Sequence, residues 1–254
     1  MGKIKKVRAD ELLVLQGKAD SRTNARALIM AGKVRFAPDS LVAKPATTFP
    51  EDTPLRVEIP PRFVSRGGEK LACALTHFGI NPAQTRALDI GASTGGFSDC
   101  LLQNGAISVV CVDVGRGQLH QKLRNDPRVT NLEKINVRHL AQTPLPHETF
   151  DIVVMDLSFI SLTKALVPAW ARVASNGWLV ALIKPQFEAG KAEADKGAGV
   201  IRDSLVHARV VESIVAFVRE HLTGAFPPGV VESPVTGGDG NREFLLATRR
   251  IAQN

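Results

Sequence analysis

Long apolar runs are missing from this 254-residue chain, and no stretch approaches the ~20 apolar residues that a membrane-spanning helix requires. An integral membrane protein is therefore not expected. Met1-Gly2-Lys3-Ile4-Lys5-Lys6 has no apolar segment behind it, so no secretory signal is expected either. Cysteine is scarce: Cys73, Cys100 and Cys111 are the three present, and none forms a CxxC pair. That excludes a disulfide scaffold and a structural zinc site, and it suits a reducing, cytoplasmic setting. Two phosphate-binding signatures are also lacking. No Gly-Lys-Ser/Thr follows the glycine-rich turn at 91–96, which excludes a P-loop. No GxGxxG occurs, which removes the main support for a nicotinamide oxidoreductase.

What is present begins with charge. The net charge is +7, carried unevenly: residues 1–66 hold 13 Lys+Arg against 7 Asp+Glu, whereas the remainder is near balance at 19 against 18. A basic small module ahead of a near-neutral large one suggests a polyanion-binding part joined to a working part. A merely solvated basic face is the other reading of the same charge. At 44% hydrophobic, the chain can bury a substantial core.

Three pieces are legible. In the first, residues 1–60, Asp10–Gln16 reads as a helix closed by Gly17. Ser21 is a good N-cap for a second helix, Arg22–Ala31, closed by Gly32. Ala25, Leu28 and Ile29 give that helix an apolar stripe, and Arg22 and Arg26 share a face away from it. Short strand-like runs follow at Lys33–Phe36 and Leu55–Ile59, separated by a turn at Pro38-Asp39-Ser40. The sum is a compact α+β module. Pro60-Pro61 then stiffens a linker, taken as residues 61–66. Glu69–Phe78 reads as a helix ending at Gly79.

From Arg86 the pattern becomes strand–helix alternation within a third piece, residues 67–254. Strands are expected at Ala87–Ile90, Ser108–Val112, Ile152–Met155 and Trp178–Ile183, with helices at Phe97–Asn104, Gln118–Asn125 and Leu162–Ala174. A long helix at Ser204–His221 precedes late strands at Gly229–Glu232 and Glu243–Thr248. Continuous apolar runs in the inner strands mark a parallel α/β sheet covered on both faces.

Leu88-Asp89-Ile90-Gly91-Ala92-Ser93-Thr94-Gly95-Gly96-Phe97 is a strand, a glycine turn and a helix start, which lets backbone N–H groups approach a polar ligand. Asp113 ends the next strand and can accept both ribose hydroxyls of an adenosine cofactor. S-adenosylmethionine has no pyrophosphate and needs no full dinucleotide fingerprint. Asp89, Gly91, Ala92, Ser93, Thr94, Gly95, Gly96, Phe97 and Asp113 are thus the candidate cofactor residues. Asp156 and Lys184 sit at carboxyl ends of apolar strands, the edge at which open α/β sheets bind ligands. Lys70 and Glu243 are ordinary surface residues when taken alone.

Four segments together resemble the TlyA branch of the FtsJ/RrmJ-like RNA methyltransferases: Ser65-Arg66-Gly67-Gly68-Glu69-Lys70-Leu71, the turn at Leu88–Phe97, Asp156-Leu157-Ser158-Phe159 and Lys184-Pro185-Gln186-Phe187-Glu188. Val112–Leu119 and Gly240-Asn241-Arg242-Glu243-Phe244 strengthen the match. Ser21-Arg22 through Gly32-Lys33-Val34 is similar to the RNA-binding domain named after small-subunit ribosomal protein S-four. The resemblance implies a Rossmann-like S-adenosylmethionine-dependent methyltransferase sheet with helices on both faces, preceded by a small RNA-binding domain. It implies 2′-O-methylation of ribosomal RNA, on cytidine, with ribosomal RNA or ribosomal subunits as partners. The family's Lys-Asp-Lys-Glu tetrad falls on Lys70, Asp156, Lys184 and Glu243, and RNA contacts are expected at Arg22, Arg26, Lys33 and Arg35. Some members carry the label hemolysin, so a membrane-active protein and a catalytically inert RNA-binding adaptor are the rival readings.

The implied chemistry suits these residue types. A ribose hydroxyl is a poor nucleophile at neutral pH, and a lysine takes its proton only if burial or a neighbouring cation weakens its own hold on one. Lys184 beside Lys70 would meet that condition. Asp156 and Glu243 would hold the two amines, and no metal is required. Cysteine attack on a base ring is disfavoured, because Cys73 lies on a helix and Cys100 and Cys111 lie in core-like positions.

Overall fold

The computed structural model describes residues 5–38, 40–58, 61–190, 193, 195 and 197–252. The chain divides into two compact units, Met1–Pro61 and Arg62–Asn254.

In the first unit, β1 (Lys6–Arg8) runs into α1 (Ala9–Leu15), followed by α2 (Arg22–Met30) and four short strands. These are β2 (Val34–Ala37), β3 (Ser40–Leu41), β4 (Thr48–Pro50) and β5 (Arg56–Val57). Strand β1 pairs antiparallel with β4, while β2 lies between β3 and β5. Ser21 caps α2 as its side chain requires: its Oγ accepts the Asn24 N–H at 3.1 Å. The apolar stripe closes on Leu12, Leu13, Val34 and Leu55 through buried Ala25 and Ile29. Ile59 and Asp39 lie outside the described residues.

The second unit begins earlier than the sequence suggests. Residues 61–66 read as a linker, yet Phe63 is buried in the core and Gly68 packs directly on its ring. Pro60 lies outside the described residues, and burial of the Phe63 ring draws the residues after Pro61 into the core. Helix α3 (Gly67–Phe78) follows and ends on Gly79 in the left-handed region.

A seven-stranded sheet organises the rest. Its members are β6 (Arg86–Ile90), β7 (Ser108–Asp113), β8 (Val129–Glu133), β9 (Phe150–Met155), β10 (Val173–Ile183), β11 (Gly229–Glu232) and β12 (Phe244–Arg249). The order is β11-β12-β10-β9-β6-β7-β8, parallel from β10 to β8 and antiparallel at β12 and β11. Successive side chains point to opposite faces. Leu88, Ile90, Val153 and Met155 therefore meet Leu166, Trp170, Val210 and Ile214 on one side. Ala87, Val109, Ile152 and Val154 meet Leu71, Leu75, Phe97 and Leu101 on the other. The first face is covered by α6 (Leu166–Trp170) and, after the short α7 (Pro185–Glu188), the long α8 (Ser204–His221); the second is covered by α3 and α4 (Gly96–Gln103).

Two expected elements come out differently, and one strand is new. Leu162–Ala174 is not one helix. A 3-10 turn at Leu162–Lys164 gives way to α6, which restarts so that Pro168 falls in its first turn, where the missing N–H costs nothing. Val173 and Ala174 then open β10, Val173 opposite Phe150. Helix α5 covers Gln121–Arg124 rather than 118–125, because His120 Nδ1 accepts the Lys122 N–H and caps it late. Strand β8 was not anticipated. It is a half-buried edge strand without a continuous apolar run.

The chain order reverses between β6 and β9: from β6 it winds toward β8, and from β9 toward β12. Crevices at such a reversal, outside the carboxyl ends of the strands, are where open α/β sheets bind ligands.

Candidate active site

That crevice is floored by the glycine turn. Gly91 has φ +82, and a Cβ there would stand 2.5 Å from the Asp156 backbone oxygen, so no larger residue fits where β6 meets the end of β9. Gly91 N–H donates to the Val112 carbonyl at 2.8 Å, which ties the loop to the neighbouring strand. Gly96 opens α4 in similarly close quarters. A Cβ there would lie 2.9 Å from the Gly68 nitrogen, so the start of α4 rests on the start of α3. This contact carries Lys70, in the first turn of α3, to the sheet edge.

Asp113 at the end of β7 holds the same loop. Its Oδ2 accepts the Ser93 N–H at 2.8 Å and its Oδ1 accepts the Gly115 N–H at 2.7 Å. Each carboxylate oxygen keeps a second lone pair. Beside it lies a cavity of about 470 Å³ with an apolar wall that includes Val112, Val114, Ile135, Val137 and Leu157. Asn136 and Gln118 supply polar edges. Little of this wall was evident beforehand, because Ile135 and Val137 lie beyond the unrecognised strand β8.

Asp89 is fully buried one residue before the turn's strand ends. Its Oδ2 accepts both the Ser98 N–H at 3.0 Å and the Ser98 hydroxyl at 2.6 Å, while Oδ1 has no partner among the described residues. Burial pushes this carboxyl up to about 7, against the opposing pull of Ser98. A group protonated more readily in the fold than in the unfolded chain, where it titrates near ~3.9, stabilises the fold fully below that pH. The contribution is lost as pH rises toward about 7. The unliganded chain is therefore expected to lose roughly 4 kcal/mol of this contribution between about pH 4 and pH 7. Urea unfolding of wild type and Asp89→Asn across that range checks it, since the asparagine chain should show a flatter profile.

A second cavity, of about 270 Å³, adjoins the loop and brings together Lys70, Asp156, Lys184, Ser158 and Arg66. Lys184 Nζ lies 2.6 Å from Asp156 Oδ1 and donates to Ser158 Oγ at 2.9 Å. Lys70 Nζ donates to Glu243 Oε2 at 2.5 Å. The Lys70 and Glu243 side chains are 10% and 2% exposed, and those of Lys184 and Asp156 are 11% and 24%. The tetrad is thus two ion pairs at one sheet edge. Glu243 precedes β12 rather than opening it, at the end of a loop fastened by buried Asn241. That side chain accepts the Ile201 N–H and donates to the Gly199 carbonyl, each at 2.9 Å. Neither Ser158 nor Asn241 was singled out from the sequence, although both stand inside segments that carried the resemblance.

Residues 63–250 match the family model described as FtsJ-like methyltransferase. The chain belongs to this family. It is 46% identical over 249 residues to the 16S/23S rRNA (cytidine-2′-O)-methyltransferase TlyA of Mycobacterium tuberculosis, covering 96% of this chain and 90% of that one. It is 37% identical to Hemolysin A of Brachyspira hyodysenteriae, covering 94% of this chain and 98% of that one. The solved structure of a hemolysin-named protein from Streptococcus thermophilus superposes with a TM-score of 0.71 at 38% identity, covering 99% of this chain and 90% of that one.

Within this FtsJ-like methyltransferase chain, two of the three cysteines are placed as bystanders. Burial pushes the thiols of Cys100 and Cys111 up to about 12, so neither offers a thiolate near neutral pH. No helix among the described residues is long and apolar enough to cross a membrane.

The basic residues of the first unit are placed as follows. Arg22 and Arg26 stand one turn apart on α2, and both reach Asp10. Arg35, on β2, pairs with Glu58. Lys33 sits half-buried between α2 and β2.

Proposed function

We propose that this chain transfers a methyl group from S-adenosylmethionine to the 2′-hydroxyl of a cytidine in ribosomal RNA. One observation carries the reading: two lysine–carboxylate pairs meet at the sheet edge beside a glycine loop clipped to an acid one strand away. The names of the relatives supply the substrate class, and the tetrad supplies chemistry that suits it.

The residues fit the cofactor. The loop around Gly91 admits close backbone approach, Asp113 has lone pairs for two ribose hydroxyls, and the apolar wall from Val112 to Leu157 suits an adenine ring. When bound, S-adenosylmethionine supplies an electrophilic methyl group on a sulfonium. Everything else falls to the protein. Asp156 and Ser158 fix the Lys184 amine in the cavity, where in its neutral form it takes the proton from the ribose hydroxyl. Glu243 fixes Lys70 in the same cavity, where its ammonium favours the developing alkoxide. With the cofactor bound, alignment of acceptor and donor at this edge would account for much of the rate. The small unit grips the RNA, with Arg22, Arg26, Lys33 and Arg35 on its basic surface.

Incubating the chain with methyl-labelled S-adenosylmethionine and ribosomal subunits or free ribosomal RNA, then digesting to nucleosides, tests this directly. Label is expected in 2′-O-methylcytidine, and label confined to a methylated base would overturn the reading. Asp113→Ala is expected to weaken cofactor binding by roughly 1.5–3 kcal/mol, the worth of hydrogen bonds to a charged group. Titration calorimetry with unchanged affinity would remove Asp113 from the ribose.

A further inference from the structure

Asp10 reads from the sequence as an acid in the first turn of a helix. The structure gives it a different setting. It is fully buried, and three arginines converge on it. Arg8 donates through Nε and Nη2 to its two oxygens at 3.0 and 3.1 Å. Arg26 Nε reaches Oδ2 at 3.0 Å, and Arg22 Nη2 reaches the same oxygen at 3.4 Å. Arg22 Nη1 also lies 3.0 Å from Glu11. Three guanidiniums against two carboxylates leave the cluster positive, and the arginine side chains stay 36%, 49% and 56% exposed.

The bonding leaves donors over. A guanidinium carries five N–H groups in a rigid plane. No described bond uses Nη1 of Arg8, or Nη1 and Nη2 of Arg26. Arg8 and Arg26 are thus anchored on one side and open on the other, while Arg22 is braced between Asp10 and Glu11. That arrangement matches phosphate oxygens, which take parallel N–H donors. The hydrogen bonds from Arg8, then Arg26 and Arg22, also hold the Asp10 carboxyl well below the usual carboxylate range, so the anchor stays ionised at any working pH.

We propose that Asp10 is a positioning residue for RNA, holding Arg8, Arg22 and Arg26 as a fixed fork whose outer N–H groups grip backbone phosphates. The inference rests on the reading above that the substrate is RNA. Charge alone and positioning make opposite predictions. Removing a negative charge beside three cations should strengthen RNA binding if charge is all that matters. If the anchor matters, its loss lets the arginines spread and phosphate contacts vanish.

The test uses the full chain and deproteinised ribosomal RNA, with affinity measured across a salt series at a temperature where melting curves show each variant folded. Asp10→Asn is expected to lose about tenfold in affinity. Its dependence of log affinity on log salt should become shallower by about 1–2, because each lost phosphate contact removes roughly 0.7–0.9 from the slope. Unchanged or tighter binding with an unchanged slope overturns the proposal. A pair of lysines, Arg22→Lys with Arg26→Lys, keeps both the charge and the anchor but removes the fork. The same loss is expected, and wild-type binding overturns the proposal even if Asp10→Asn fails to fold. Arg22→Glu with Arg26→Glu separates the two layers: undiminished RNA binding there would remove the RNA role of the unit itself. If that variant weakens binding while the other two do not, the positioning role alone falls.

Discussion

Lys184→Arg is expected to abolish methyl transfer while leaving S-adenosylmethionine bound. The guanidinium preserves the positive charge beside Asp156, and the cavity is open enough to take it, but it stays protonated and cannot accept the hydroxyl proton. Lys184→Ala should fail equally, and the rate loss should reach about 10²–10⁴, the usual worth of a positioned general base. The fold should survive both changes, because Asp156 is 24% exposed and water can solvate it once the amine is gone. Single-turnover rates at saturating RNA decide the matter. An arginine enzyme within about tenfold of wild type would leave Lys184 as an electrostatic clamp on phosphate rather than a base.

Lys70→Ala is expected to cost more in stability than any other single change at the site. Glu243 is 2% exposed, and its described charge partner is the Lys70 ammonium. Removing one member of such a pair strands the other charge in the interior, typically at about 3–5 kcal/mol. Replacing both members with apolar groups of similar size, as Lys70→Met with Glu243→Leu, should restore most of that loss and leave methyl transfer abolished. Denaturant unfolding measures the first effect and single-turnover rates the second. Recovery of activity along with stability in the double variant would make the pair structural and remove Lys70 from the chemistry.

The parts of this fold legible beforehand are those whose physics is local. The buried strands β6, β7, β9 and β10 announce themselves as apolar runs, and α8 is bounded at Ser204 and His221 as its sequence suggests. Strand β8 was invisible because an edge strand pairs on one side only and can be spelled with Thr, Asn and Glu. The break before α6 turns on Pro168, whose effect depends on where the helix starts. The site divides in the same way. The glycine turn and Asp113 follow from strand-end logic. The pairing of Lys70 with Glu243 joins residues 173 positions apart, and only the family resemblance brought them together. The setting of Asp10 is not legible locally, because it depends on Arg22 and Arg26 of the opposite helix joining Arg8 around one buried carboxylate.

The contact between Gly96 and the Gly67–Gly68 backbone has a consequence for what the protein can accept. Backbone against backbone leaves no slack, so the glycine loop and the helix that carries Lys70 shift together or not at all. The catalytic floor behaves as an anvil. If this floor methylates RNA as proposed, the freedom to bring acceptor and donor into line falls to the nucleic acid. A ribose held within a stacked A-form duplex lacks it, whereas a looped or extruded nucleotide has it. Choice of target becomes in part a measurement of RNA pliability, made by a surface that does not bend to meet it.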